Sequence, residues 1–309
     1  MGEGDAFLGV FGEQPKSRRA GIIVFLFRLL CLIVILVSFF RQDINAFLSS
    51  SKQNISLEVF TGEIGATTIV AFIVVGFLAQ LVDGALGMAY GITSTTFLLS
   101  VGVTPVISSA SVHSSEVFTT AISGISHLKL GNVDKEIFKK LVVPGVIGAV
   151  MGAYILTALP GEKLKPFVSL YLLLMGVRIL LAASNREPRT PKINMAPLGF
   201  IGGFLDSIGG GGWGPVGTTT LVEKGHTPRF TIGSVNAAEF FISMASSATF
   251  FLTIGLQNWK VIAGLIIGGA LAAPIAAFAT KSLPEKHMLT AVGLLICILS
   301  IRTIFLSVF

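Results

Sequence analysis

The chain has 309 residues, of which 52% are hydrophobic and only 12% charged, about half the charged share of a typical soluble domain. Its net charge of +6 comes from basic residues in short segments between long apolar runs, a topological signal rather than a nucleic-acid footprint. Several runs reach the roughly 20 residues that a bilayer helix needs, and none shows the short alternation of a membrane β-barrel. The composition predicts an all-α, polytopic helical membrane protein. It excludes nucleic acid as a partner and makes the lipid bilayer the solvent.

Residues 1–20 form a polar segment ending in Lys16, Arg18 and Arg19, expected on the cytoplasmic side. The apolar run 21–40 that follows is too long for a typical signal-peptide core and is not followed by a small-residue cleavage site. It reads as an extra N-terminal transmembrane helix, with Arg28 near enough to the basic end to snorkel. After a polar loop over 41–61, a first transporter repeat spans 62–183. Its apolar segments are 62–82, 85–99, 105–130, 137–159 and 164–183. A polar, proline-containing linker, 184–195, leads to a second repeat over 196–309, with segments 196–207, 212–222, 228–255, 259–280 and 286–308. Cys31 and Cys297 lie inside apolar segments and suggest free thiols rather than a disulfide or a metal site.

The halves share more than hydropathy. Residues 83–116 and 206–239 align without a gap at an offset of 123 (206 − 83), with 12 identities in 34 positions. Internal repeats of this kind decide the architecture. With the N-terminus placed in the cytoplasm, the cytoplasmic segments carry 14 of the 22 Lys and Arg residues and the outer segments 5, as the positive-inside rule requires. The first repeat then starts outside and the second inside, so their topology is inverted. Either eleven spans or seven spans plus two re-entrant hairpins satisfies this parity.

Two constellations carry chemistry. Thr104-Pro105 and Thr227-Pro228 each offer a capping hydroxyl before proline at the first helical position. Beyond Pro105 the polar residues Ser109, His113, Glu116, Thr120, Ser123 and His127 fall at helical spacing on one face. The second copy has Asn236, Glu239, Ser243 and Ser246. Glu116 and Glu239 each lie roughly 16 Å into the membrane at ~1.5 Å per residue, near mid-bilayer, where a carboxylate costs about 2.5–3.5 kcal/mol. Duplicated at matching depth with His113 or Asn236 one turn away, they are expected to bind and release protons. Interhelical hydrogen bonding is the plainer role for Ser123 and His127.

The second constellation is Gly-rich. Asp83 precedes Gly84, Gly87 and Gly91; Asp206 precedes Gly209, Gly210, Gly211, Gly212 and Gly214-Pro215. Continuous helix through GGGGWGP is disfavoured, at about 1 kcal/mol per Gly and about 3 for Pro. Short interrupted segments at matching places in two halves point to a transporter's binding site, because a broken helix exposes N–H groups to an anion. The candidate substrate-binding residues are Gly87, Tyr90, Gly91, Thr95, Thr96, Gly210, Gly211, Gly212, Trp213, Thr218, Thr219, His113 and Asn236, with the hydroxyl of Ser94 nearby. Tyr90 and Trp213 are aligned and could wall a pocket. For Asp83 and Asp206, capping of the next turn and proton handling stay equally open. Gly148 and Gly152 are expected only to let helices pack closely.

At these residues the chain resembles the TauE/SafE family of sulfite exporters, also described as sulfonate uptake permeases. The match rests on Asp83–Gly91, Asp206–Pro215 and the two Thr-Pro helix starts, with ALGMAYG in the first copy where consecutive glycines are expected. The resemblance implies secondary transport of sulfite, thiosulfate or an organosulfur anion, coupled to protons, without cofactor or metal. It implies a multi-pass protein of a bacterial or archaeal plasma membrane, and homo-oligomers remain open. A sodium-coupled carrier is the competing expectation. An intramembrane enzyme ranks lower, since neither a G-x-S-G nor a G-x-G-D motif is present.

Overall fold

A computed structural model describes residues 65–88, 90–184, 193–255, 258–279 and 285–308, all within one compact unit. The expected extra helix 21–40, with Arg28 and Cys31, and most of the linker 184–195 lie outside the described residues. Every regular element among the described residues is an α-helix: α1 (Ala66–Leu86), α2 (Tyr90–Ser100), α3 (Pro105–Lys129), α4 (Lys135–Ala158), α5 (Gly161–Ser184), α6 (Met195–Gly209), α7 (Trp213–Glu223), α8 (Pro228–Ile254), α9 (Trp259–Ala279) and α10 (Glu285–Val308). The five helices of each half follow the five apolar segments of each repeat.

Local chemistry sets the ends. Asp134 caps α4, its side chain accepting from the N–H groups of Glu136 and Ile137, and Asn194 caps α6 by accepting from Ala196. Pro105 and Pro228 open α3 and α8, but the expected hydroxyl caps are not made. Thr104 and Thr227 occupy the N-cap positions with extended backbone, and neither side chain bonds the helix. Their carbonyls instead accept the first turn's bonds, from Ser108 and Thr231, while proline supplies the helical φ.

Four helix pairs make the body: α1 with α9, α4 with α6, α3 with α8, and α5 with α10. Exchanging the halves turns α1–α9 into α6–α4 and returns the other two pairs to themselves. Gly148 and Gly152 sit where a Cβ would enter the backbone of Phe200 and Phe204 on α6, so their role is close packing, as expected. Gly268 does the same against Ile73 of α1.

Outward faces are greasy: Val143, Ile147 and Tyr154 on α4 and Phe167, Leu170 and Leu174 on α5 are all exposed. The interior holds Ser, Thr, Asp, Glu and His, a polarity suited to lipid outside and protein partners inside. Lys135–Ala158, Lys163–Leu181 and Arg229–Ile254 are long and apolar enough to cross a membrane. α3 has similar length, 25 residues, with polar residues along its inner face. By contrast α2 and α7 have 11 residues each, about 16 Å of helix, roughly half the hydrocarbon thickness. Neither crosses by itself.

Candidate functional site

The two helix breaks lie where the sequence puts the glycines, but later than the aspartates. α1 runs past Asp83 to Leu86, and α6 runs past Asp206 to Gly209, so each Asp occupies the last turn of its helix rather than ending it. Ala85 and Leu86, expected in the second segment, belong to the first helix. Gly87 (φ 66°) and Gly210 (φ 63°) then take the left-handed conformation that closes a helix, a position suited to glycine. The Asp83 carboxylate accepts the N–H of Tyr90 at 3.2 Å. Asp206 accepts from Gly212 at 2.7 Å and Trp213 at 2.9 Å. Both aspartates thus cap the short helix that follows.

The breaks press on each other. Gly211 lies where any Cβ would run into the backbone of Gly91 and Ile92, and Gly214 lies against Met88. Reciprocal hydroxyl bonds join them: Thr95 donates to the Gly210 carbonyl at 2.5 Å, and Thr218 donates to the Gly87 carbonyl at 3.2 Å. Thr95 and Thr218 are aligned residues, as are Gly87 and Gly210. Thr96 donates to Ile92 of its own helix and Thr219 to the Met88 sulfur. All four hydroxyl protons therefore have protein acceptors, whereas Thr93 and Ser94 are buried with no hydrogen-bond partner.

Tyr90 and Trp213 are pins rather than pocket walls. The Tyr90 hydroxyl lies 3.1 Å from Ser115 Oγ and donates to the Leu265 carbonyl at 3.2 Å. Trp213 Nε1 donates to the Val235 carbonyl at 3.0 Å, and its ring is buried among Ile137, Leu141 and Ile242. Each aromatic locks the start of a short helix into a separate apolar core. Arginines meet the other ends: Arg302 donates to the Ser100 carbonyl at 2.9 Å, and Arg178 to Thr220 Oγ1 at 2.6 Å. A cation there suits the negative end of the helix dipole.

Between the breaks sits the polar face of α3. Ser109, His113, Glu116 and Thr120 are buried, as are Asn236, Glu239, Ser243 and Ser246 on α8; the helical spacing placed these faces correctly. His113 Nδ1 is 2.8 Å from Glu116 Oε2, its Nε2 is 3.2 Å from the Asp206 carbonyl, and Asp206 Oδ2 is 3.8 Å from Nδ1. Ser243 donates to Glu116 Oε2 at 3.3 Å. Two oxygens facing two ring nitrogens require either an imidazolium or a protonated glutamic acid; either way one proton resides between His113 and Glu116. Glu116 Oε1, Asp206 Oδ2 and Glu239 Oε2 are buried with no hydrogen-bond partner. Glu239 lies within electrostatic range of Asp83, Glu116 and Asp206. His113, Glu116 and Asp206 offer ligand atoms all within 4.8 Å of one another, close enough to share a proton or a small cation.

Asn236 is less engaged than its counterpart His113. Its Nδ2 donates to Ile232 at 3.1 Å and its Oδ1 has no partner. Ser123 and His127 are only half-buried, and His127 contacts Asn132 at 3.3 Å, a structural role. Tyr171, which donates to the Gly211 carbonyl at 3.3 Å, Ser207, whose hydroxyl lies 2.6 Å from Ser246 Oγ, and the two arginines were not singled out as site residues by sequence. For Arg178 and Arg302 the signal existed, since a charge inside an apolar helix is costly unless it has work there.

The sulfite exporter TauE/SafE family model matches residues 72–303, most of the chain and both breaks. The chain is 44% identical over 247 residues to "Probable membrane transporter protein YtnM" of Bacillus subtilis (strain 168), covering 76% of this chain and 82% of that protein. It is 27% identical over 215 residues to "Probable membrane transporter protein ORF9" of Sinorhizobium sp, covering 65% and 78%. No solved structure matches the chain. With matches over both breaks and the polar faces between them, the chain belongs to the sulfite exporter TauE/SafE family of membrane transporters.

Proposed function

We propose that this protein is a proton-coupled secondary transporter of a small sulfur-containing anion (sulfite, thiosulfate or an organosulfonate) that works by alternating access of two inverted-topology repeats. The observation that carries the coupling is the set of buried carboxylate oxygens on Glu116, Asp206 and Glu239 that make no hydrogen bond, with the Glu116 and Asp206 carboxylates against the His113 imidazole. Four ionised carboxylates around one imidazolium would bury a net charge of −3, which a membrane interior does not tolerate. Protons on both glutamates cut that charge from −3 to −1 and so ease the passage of an anion. Glu116 and Glu239 carry those protons, and His113 relays the one it shares with Glu116. Asp83 and Asp206 hold the short helices, with Asp206 also feeling the charge on His113.

The anion's place is where the starts of α2 and α7 converge. Positive dipole ends and backbone N–H groups there favour negative charge, and the glycines at 87, 91 and 210–212 let the backbone approach closely. The hydroxyls of Thr95 and Thr218 now clasp the opposite break. When the halves part, those donors pass from carbonyl to anion, so substrate replaces the clasp. The pairing of helices under exchange of halves supports the two-fold relation, and the short α2 and α7 support re-entrant hairpins over eleven spans. Membership of a family of sulfite exporters supports the sulfur chemistry.

Labelled sulfite or sulfonate flux into proteoliposomes under an imposed pH gradient tests this reading. Flux should follow the gradient and fall at least tenfold in a Glu116→Gln, Glu239→Gln double variant; undiminished gradient-driven flux there would remove the proton-carrying role. The clustering of His113, Glu116 and Asp206 within 4.8 Å favours a second reading, with a cation such as Na⁺ as the coupling ion. That reading predicts flux that follows the sodium gradient and ignores pH.

A further inference from the structure

The fifth helix of each half bears on the short helix of the other half. Past the Leu-Pro pairs at 159–160 and 283–284 the halves are offset by 124 (284 − 160), so Arg178 of α5 and Arg302 of α10 are equivalent. Arg178 reaches Thr220 near the finish of α7, and Arg302 reaches Ser100 at the finish of α2. At the starts of the short helices the match fails. Two turns before Arg178, on the same face of α5, Tyr171 reaches the second break. Its counterpart on α10 is Leu295, which is 45% exposed and has no hydroxyl to donate.

The glycines of the second break make room for Tyr171. A Cβ on Gly209 would enter its ring, and one on Gly212 would enter its hydroxyl. The first break has Leu86 and Ala89 at those positions, residues with the Cβ that the second break excludes. The Tyr171 ring also packs against the apolar cluster that contains Met88 and Ile92 of the first break. Tyr171 therefore stands where the two breaks meet, with its polar atom on the second.

That polar atom is weakly held. The hydroxyl donates to the Gly211 carbonyl at 3.3 Å, beyond the roughly 2.5–3.0 Å usual for an O–H···O bond. It is the third hydroxyl accepted by a break carbonyl, after Thr95 on Gly210 and Thr218 on Gly87, and its bond is the longest of the three. Thr95 and Thr218 exchange with the halves, whereas Tyr171 has no counterpart. The second break thus receives two hydroxyl donors and the first receives one. Asp206 and Arg178 both lie within electrostatic range of the phenol, so a cation as well as a carboxylate bears on this donor.

We propose that Tyr171 is a specificity-determining residue of the anion cradle: when the halves part, its hydroxyl passes from the Gly211 carbonyl to a sulfo oxygen of the substrate. The anion is thereby held off the two-fold axis, on the second break. This rests on the transport reading above and deepens it. A phenol suits the task because its O–H donates to an oxyanion without adding the fixed charge of Lys or Arg. The ring is already ordered between Gly209 and Gly212, so little freedom is lost when the anion arrives.

The test uses the full chain in proteoliposomes, with labelled sulfite and methanesulfonate as probes. Tyr171→Phe removes one oxygen and keeps the ring. It should raise KM at least fivefold and leave Vmax within twofold, with a ligand-free melting temperature within about 2 °C of wild type. Leu295→Ala, at the equivalent place on α10, should leave KM unchanged. An unchanged KM in Tyr171→Phe would overturn the proposal. So would a loss confined to Vmax or a variant without a monodisperse peak, since either makes the hydroxyl a structural brace. An equal rise of KM in Leu295→Ala would overturn the off-axis placement. Wild-type protein with no saturable flux of either probe would instead remove the transport reading, and this assignment with it.

Discussion

The two helix breaks share a frame and differ in chemistry. Each has an aspartate in the last turn, a left-handed glycine four residues later, and an aromatic residue that starts the short helix in register. Each donates a threonine hydroxyl to the other's glycine carbonyl. Yet the second break has Gly211 and Gly212 where the first has Met88 and Ala89, and it faces His113 where the first faces Asn236. The shared frame holds the halves together, whereas the differences concentrate ionisable groups on one break. A two-fold scaffold thus carries an asymmetric cluster of ionisable groups.

The sharpest way to break this comparison is Gly211→Ala. Its φ of 155° and its contact with the Gly91–Ile92 backbone leave no room for a Cβ. The cost should exceed the about 1–3 kcal/mol of ordinary overpacking and abolish the monodisperse peak in size-exclusion chromatography. Met88→Ala, at the aligned position, should keep that peak. Next comes Asp206→Ala, which orphans two buried N–H groups at about 1–3 kcal/mol each. It should lower the melting temperature more than Asp83→Ala does, and equal shifts would mean that the caps are equivalent.

Exchanging the asymmetric pair sharpens the chemistry. His113→Asn makes the second break resemble the first, keeping a polar contact but removing the titratable ring. Substrate flux should survive at reduced rate with a flattened pH profile, whereas an unchanged profile would take His113 out of proton transfer. The smallest effect belongs to the clasps. Thr95→Val and Thr218→Val each lose one hydrogen bond, about 1 kcal/mol, and should give similar small decreases in stability by thermal melting.

Much of this was legible in the sequence because it follows from periodicity. The 123-residue offset located equivalent residues, and the helical spacing placed His113, Glu116 and Glu239 on buried faces. The glycines marked the breaks. What could not be read were partners across the halves, since alignment tells which residues are equivalent and not which ones touch. The threonines suggested an anion cradle, but in this state they bond opposing carbonyls. Tyr90 and Trp213 suggested pocket walls, but their polar atoms reach carbonyls in outer cores, where a buried aromatic satisfies both its ring and its N–H or O–H. Asp83 and Asp206 looked like the ends of apolar runs, and the helices continued one turn further because the left-handed glycine, not the acid, ends them.

The most direct measurement of the central claim follows protons rather than substrate. Proteoliposomes containing a trapped pH dye are given an outward or inward gradient of an organosulfonate, a strong acid that carries no proton of its own. Proton coupling through the glutamates predicts a substrate-dependent pH change that reverses with the gradient and is lost in the Glu116→Gln, Glu239→Gln variant. Labelled sulfonate flux with no accompanying pH change, or a pH change that persists in the double variant, would contradict it.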